Sequence, residues 1–119
     1  MTFWKSEKEN PQALDAVASY RRANPSEAGP ISDDMLHQRL FFPMVDEAVR
    51  CMADKIVEHP WQLDFALTYG IGFPAFRGGL LTWAGETMTQ GRVAQELESM
   101  ASKYGKRFEP CPALSSGRW

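Results

Sequence analysis

Three ionisable side chains sit where a catalytic group is often tuned. Asp64 and Glu47 are acids set in largely apolar stretches, and Arg77 is a base beside the pair Gly78-Gly79. An acid in apolar surroundings can serve in proton transfer. It can also serve structure: Asp64 falls early in a predicted helix, where free N–H groups welcome a carboxylate. An ion pair from Arg77 to a helix acid would fix the adjoining loop, at little net gain if buried. No nucleophile, histidine or metal set accompanies these residues, so the structural reading is the expectation for all three. Cys51 lies among apolar neighbours that raise a thiol's pKa, which argues against a nucleophile. His37 and His59 are the two histidines. Neither has zinc-ligand spacing with Cys51 or Cys111, and no His-Glu-x-x-His run is present. His37 is expected on a solvated helix face and His59 at a loop–helix junction. No catalytic, cofactor-binding or metal-binding residue is assigned.

The run Tyr69-Gly70-Ile71-Gly72-Phe73-Pro74-Ala75-Phe76-Arg77-Gly78-Gly79 holds four glycines, one proline and three aromatics in eleven residues. Interior glycines cost a helix about 1 kcal/mol each and proline about 3. The run is too apolar for a disordered linker. It reads as an ordered connection between two helices. Gly70-Ile71-Gly72 invites comparison with a dinucleotide fingerprint but fails on context. The third glycine is replaced by Ala75, Pro74 interrupts the helix start, and a helix precedes where a strand is required. These glycines therefore read as turn geometry and close packing.

The elements that carry these residues are helical. Ser32 is a suitable N-cap, followed by Asp33 and Asp34 at the positive end of the dipole. Leu36, Leu40, Met44, Ala48 and Cys51 follow with helical spacing, and Phe41, Val45, Val49 and Met52 form a second row. Two rows exceed the stripe a surface helix needs, which implies burial on two sides. Pro43 inside the pattern should bend or split the helix. Pro60 opens the next helix, with Trp61, Phe65 and Leu67 inward and Gly70 as its stop. A short helix follows at Leu80, Leu81, Trp83 and Ala84. The last starts near Thr89 or Gln90, carries Val93, Leu97, Met100 or Ala101, and Tyr104, and ends at Gly105. Trp61, Phe65, Phe73, Phe76 and Trp83 supply the core.

No stretch shows strand alternation. The expected fold is all-α: a small bundle of about four helices with an ordered glycine-rich loop. Residues 1–31 are polar and punctuated by Pro11, Pro25, Gly29 and Pro30, with a short helical turn at Leu14–Tyr20. They read as a linker before a helical domain at 32–119. Phe3-Trp4 imply that something covers that end of the chain. Phe108 to Trp119 reads as a tail.

Length, at 119 residues, suits one small domain, and 44% hydrophobic with 24% charged residues is an ordinary globular composition. A formal charge of −2 with scattered Lys and Arg disfavours nucleic acid. No run is apolar and long enough for a bilayer, and the charged N-terminal segment is no signal peptide. The chain reads as cytoplasmic. Its two cysteines make no framework. Free thiols are expected, with a single Cys51–Cys111 bridge as the alternative.

A resemblance adds to this reading. Arg39-Leu40-Phe41-Phe42-Pro43-Met44-Val45-Asp46-Glu47-Ala48-Val49-Arg50-Cys51 resembles the C-terminal helical domain of 3-hydroxyacyl-CoA dehydrogenases. So do Ile56-Val57, Asp64-Phe65-Ala66-Leu67, the Tyr69–Gly79 run and Tyr104-Gly105-Lys106-Arg107-Phe108-Glu109-Pro110. The likeness covers residues 35 to 112. It is most similar to the second of two tandem helical repeats in multifunctional fatty-acid oxidation α subunits. There, a hydratase domain and an NAD-binding Rossmann domain precede the repeats. Phe3-Trp4-Lys5, with Pro11 and Asp15, is similar to the segment leaving the first repeat, which implies that Met1 is not the natural start.

The resemblance implies NAD and acyl-CoA in the parent enzyme and no cofactor in this chain. The family's catalytic His and Glu belong to the Rossmann domain. A supporting Asn on the first repeat is matched here by Gln38, before Arg39-Leu40, which fits a structural repeat. The implied partners are the Rossmann domain and the first repeat. The implied role is a brace that imitates, within one chain, the dimer contact of simpler dehydrogenases. An isolated repeat with bare apolar surface should self-associate as a dimer. The alternatives are a freestanding helical interaction module and an acyl-CoA-binding module.

Overall fold

The computed structural model describes residues 9–25, 30–88 and 90–117. Among these residues, six α-helices and two short 3-10 turns form, and no strand. The all-α expectation is borne out, with two helices beyond the expected four. Phe3-Trp4, Gly29, Thr89 and Trp119 lie outside the described residues.

The chain divides into two compact units, Met1–Ile31 and Ser32–Trp119. The first carries α1 (Pro11–Ala23), longer than the short turn expected at Leu14–Tyr20. Asn10 Oδ1 accepts from the Gln12 N–H at 3.0 Å, Pro11 supplies the first helical residue, and Arg21 and Arg22 sit in the last turn. Cap, proline and cations each match the free groups and dipole at the end where they stand.

In the second unit, α2 (Asp33–Ala53) begins where Ser32 Oγ accepts from the Met35 N–H at 3.2 Å. The helix runs unbroken through Pro43, so the proline does not split it. Packing on other helices offsets the one backbone bond lost there. Pro60 opens α3 (Pro60–Ile71), and Gln62 Oε1 accepts the N–H groups of Glu58 and His59 ahead of it. α3 does not stop at Gly70. It runs on through Gly70 to Ile71 and is capped by Gly72, whose φ of 76° is the left-handed value a glycine tolerates. A 3-10 turn at Ala75–Arg77 leads to α4 (Leu80–Thr87), then α5 (Gln90–Tyr104). A second 3-10 turn, Lys106–Phe108, precedes the single-turn α6 (Pro112–Ser115).

α2 packs against α4, α5 and α6, while α3 packs on α4. The core joins Phe42, Val45 and Val49 of α2, Leu80 and Leu81 of α4, Val93 and Leu97 of α5, and Phe108 and Leu114 from the end of the chain. Each such side chain, fully buried, contributes about 1.5–3 kcal/mol. Two expectations are corrected here. Residues 108–117 are not a loose tail, since Phe108, Cys111 and Leu114 are buried. Trp61, Phe65 and Phe76 do not build the core: they are 62%, 58% and 83% exposed. α3 turns Leu63, Asp64 and Leu67 inward instead. On α2, Leu36 and Leu40 of the first apolar row are exposed as well.

Candidate functional site

Asp64 is the most heavily engaged ionisable residue, only 6% exposed. Its Oδ1 accepts from the Leu81 N–H at 2.6 Å. Its Oδ2 accepts from the Thr82 N–H at 3.1 Å and the Thr82 hydroxyl at 2.7 Å. Leu81 and Thr82 belong to the first turn of α4, whose N-cap, Gly79, has no side chain to cap it. Asp64 therefore caps a neighbouring helix from α3, not the start of its own. Both carboxylate oxygens are committed to donors whose partial positive charge holds the anion.

This capping requires close approach. A Cβ at Gly79 would overlap Cβ and Cγ of Asp64, and φ there is 119°. The two glycines at the end of the aromatic loop thus have a physical cause. They let the backbone turn and lie against a carboxylate. The same arrangement answers the dinucleotide comparison. Gly70 lies within α3 and Gly72 caps its C-terminal end, so neither glycine stands between a strand and a helix, and the Leu81 and Thr82 amides at the start of α4 hold Asp64.

A second buried carboxylate is Asp46, to which the sequence assigns no role while it singles out its neighbour Glu47. The Glu47 side chain is 74% exposed, and only a loose 3.9 Å approach links it to Arg50. Asp46 Oδ2 accepts from Arg50 Nε at 2.9 Å, and its Oδ1 accepts from the Cys111 N–H at 2.6 Å. An Arg50 guanidinium nitrogen also donates to the Glu109 carbonyl at 3.2 Å. The hydrogen bond that Arg50 donates to Asp46 raises the Arg50 pKa above its ordinary value, against a smaller opposing effect of desolvation. Asp46 and Arg50 therefore tie the segment from Glu109 to Cys111 to α2.

Cys111 caps α6, its Sγ accepting from the Leu114 N–H at 3.4 Å. Burial pushes its thiol pKa up, and the nearby Asp46 carboxylate adds to that. Cys51 and Cys111 are both free thiols. His37 is exposed on α2, and His59 is the N-cap residue of α3 at the expected loop–helix junction. Arg77 forms no ion pair with a helix acid among the described residues; its guanidinium lies 5.3 Å over the Phe76 ring instead. The predicted Arg77 link is thus replaced by Asp64 as the tether of this loop.

Two surface features remain after these residues are placed. One is a ridge along α3 formed by Trp61, Phe65 and Tyr69, with the last two rings 4.5 Å apart. The other is a cleft walled by Phe41, Phe73 and Trp83, with His37 and Arg77 at its edge. No cluster of three or more potential metal ligands occurs among the described residues, and none of their helices is long and apolar enough to cross a membrane.

No family model matches the chain. Individual proteins do. The fatty acid oxidation complex subunit alpha of Vibrio campbellii is 35% identical over 95 residues, 80% of this chain and 13% of that protein. The glyoxysomal fatty acid beta-oxidation multifunctional protein MFP-a of Brassica napus is 32% identical over 112 residues, 93% of this chain and 15% of that protein. The peroxisomal fatty acid beta-oxidation multifunctional protein of Oryza sativa subsp. japonica is 35% identical over 111 residues, 90% of this chain and 15% of that protein. The chain thus spans 13 to 15% of the length of these relatives.

Proposed function

This chain belongs with the fatty-acid oxidation multifunctional proteins, as the counterpart of one segment of them, and we propose that it is a non-catalytic helical brace within such an enzyme. On this reading it corresponds to the second of two tandem helical repeats, with residues 1–31 leading in from the first. The hydroxyacyl-CoA dehydrogenase chemistry, its NAD and its acyl-CoA belong to the Rossmann domain and first repeat of the parent.

One observation carries the reading. Both buried carboxylates, Asp64 and Asp46, are spent on backbone N–H groups that hold helices together, while large aromatics face outward. A catalytic acid needs a free oxygen within reach of substrate. Asp64 has donors on both oxygens, and Asp46 has Arg50 on one and Cys111 on the other. The outward Trp61, Phe65 and Tyr69 supply the kind of surface that partners cover: aromatic, contiguous and set on a rigid helix.

The test is made in a full-length relative. Removing the segment that corresponds to residues 32–119 should lower both dehydrogenase rate and thermal stability. Unchanged values of both would overturn the brace. The isolated chain should not oxidise a hydroxyacyl thioester with NAD, and turnover would overturn the assignment directly. Micromolar acyl-CoA binding in calorimetry would favour the acyl-CoA-binding alternative.

A further inference from the structure

The cleft beside the glycine-rich loop has a composition that the bracing role does not use. Its walls are three rings that meet at steep angles. Phe41 and Phe73 have centroids 5.9 Å apart with an interplanar angle of 89°, and Phe41 and Trp83 lie 5.7 Å apart at 65°. Pro74 and Phe76 continue the apolar lining around an open space of about 230 Å³. An apolar cavity of about 150 Å³ accepts benzene, so this space is large enough for one substituted benzene ring. Walls that present both edges and faces suit a flat aromatic guest, because ring edges and faces carry opposite partial charge.

Arg77 and His37 contribute to the lining, and no Asp or Glu does. Arg77 has no carboxylate partner among the described residues, where the recorded ion pairs are those of Arg50. The backbone beneath it is fixed: the Arg77 N–H donates to the Pro74 carbonyl at 3.0 Å, and the Gly78 N–H to the Ala75 carbonyl at 3.0 Å. Asp64 ties the far end of the loop to α3. A guanidinium on an anchored turn, lining an aromatic cleft and 5.3 Å from the Phe76 ring, complements a carboxylate that carries a flat apolar body.

We propose that this cleft binds a small aromatic carboxylate of the benzoate class. The ring lies against the accessible parts of Phe41 and Trp83, beside Pro74 and Phe76, and the carboxylate meets the Arg77 guanidinium. This inference is independent of the bracing role, since the cleft lies within the second unit and its ligand needs no other domain.

The test titrates the full 119-residue chain, labelled with nitrogen-15, with benzoate while the indole N–H of Trp83 and the amides of Phe73, Ala75, Phe76 and Arg77 are followed. A saturable shift confined to these groups is expected. Benzamide has the same shape without the charge and should bind about fivefold or more weaker, the discrimination of a charge-assisted contact at an exposed site. Arg77→Gln should bring benzoate down to the benzamide level, and Arg77→Lys should keep part of the difference. Arg77 is exposed, so neither variant should disturb the fold, and unchanged spectral dispersion checks that. Non-saturating shifts, equal binding of benzamide, or undiminished binding by Arg77→Gln would overturn the site. Hexanoate binding as tightly as benzoate would overturn the aromatic class.

Discussion

The carboxylate of Asp64 lies against the backbone of Gly79, in the volume a side chain at position 79 would need. This contact joins α3 to the first turn of α4 and sets the end of the aromatic loop between them. It makes two residues far apart in chemistry depend on one another, since the capping bonds form only while position 79 lacks a Cβ.

Gly79→Ala therefore meets two penalties together, a φ of 119° and overlap with Asp64. It should cost about 3 kcal/mol or more in denaturant unfolding. Asp64→Ala leaves the Leu81 and Thr82 donors unsatisfied and should cost about 3 kcal/mol, with Asp64→Asn losing less because one acceptor oxygen remains. Amide hydrogen exchange at Leu81 and Thr82 should accelerate in both Asp64 variants. Wild-type protection at those amides would contradict the cap.

Asp46 and Glu47 separate a buried structural acid from a solvated one. Asp46→Ala removes the acceptor of the Arg50 and Cys111 donors and should cost about 2 kcal/mol, less than a fully buried pair because Arg50 is partly exposed. Glu47→Ala should stay within about 0.5 kcal/mol of wild type. Equal losses in thermal unfolding would mean that α2 is rotated relative to the core.

The Cys111 thiol carries a pH signature. Its folded pKa lies above the ordinary 9.0 because burial disfavours the thiolate. Below that pH both folded and unfolded chains hold the proton, so this group adds no slope. Above it the unfolded chain ionises first and binds fewer protons, so stability falls until the folded thiol ionises too. Cys111→Ala should remove that part of the alkaline loss, read from denaturation midpoints on either side of pH 9.0. In thiol titration with an aromatic disulfide, partly exposed Cys51 should react promptly and Cys111 at the rate of opening. Two equally fast thiols would count against the buried cap.

Features written in local sequence were legible. Ser32, Pro60 and Gly105 act on their own turn, so residue type and position suffice to place the ends of α2, α3 and α5. The family likeness was also legible, because the Tyr69–Gly79 run has an unusual composition. The inward face of α3 was not. Leu63 and Leu67 lie on one side and Trp61, Phe65 and Tyr69 on another, so both faces are apolar and periodicity cannot choose. Tertiary packing chose the side bearing Asp64, through donors 17 and 18 residues away. Asp46 was hidden for a similar reason: its partner Cys111 is 65 residues distant. Phe108, Cys111 and Leu114 did recur every three residues, a signal masked by Pro110 and Pro112.

The outward ridge of α3 yields the last prediction, and it sets the fold and the proposed role against one measurement each. Were Trp61 and Phe65 core residues, truncation of either would cost about 3–5 kcal/mol. At 62% and 58% exposure, Trp61→Gln and Phe65→Gln should each cost under about 1 kcal/mol. What they should change is association. Contiguous aromatic surface on a rigid helix favours pairing of the isolated chain, most simply about a two-fold axis. Sedimentation of the wild type should therefore depend on concentration, and the doubly substituted chain should remain monomeric at the same concentrations. A wild-type chain that is monomeric throughout would remove self-association. A folded double variant that still pairs would place the contact on another face, such as that of Leu36 and Leu40.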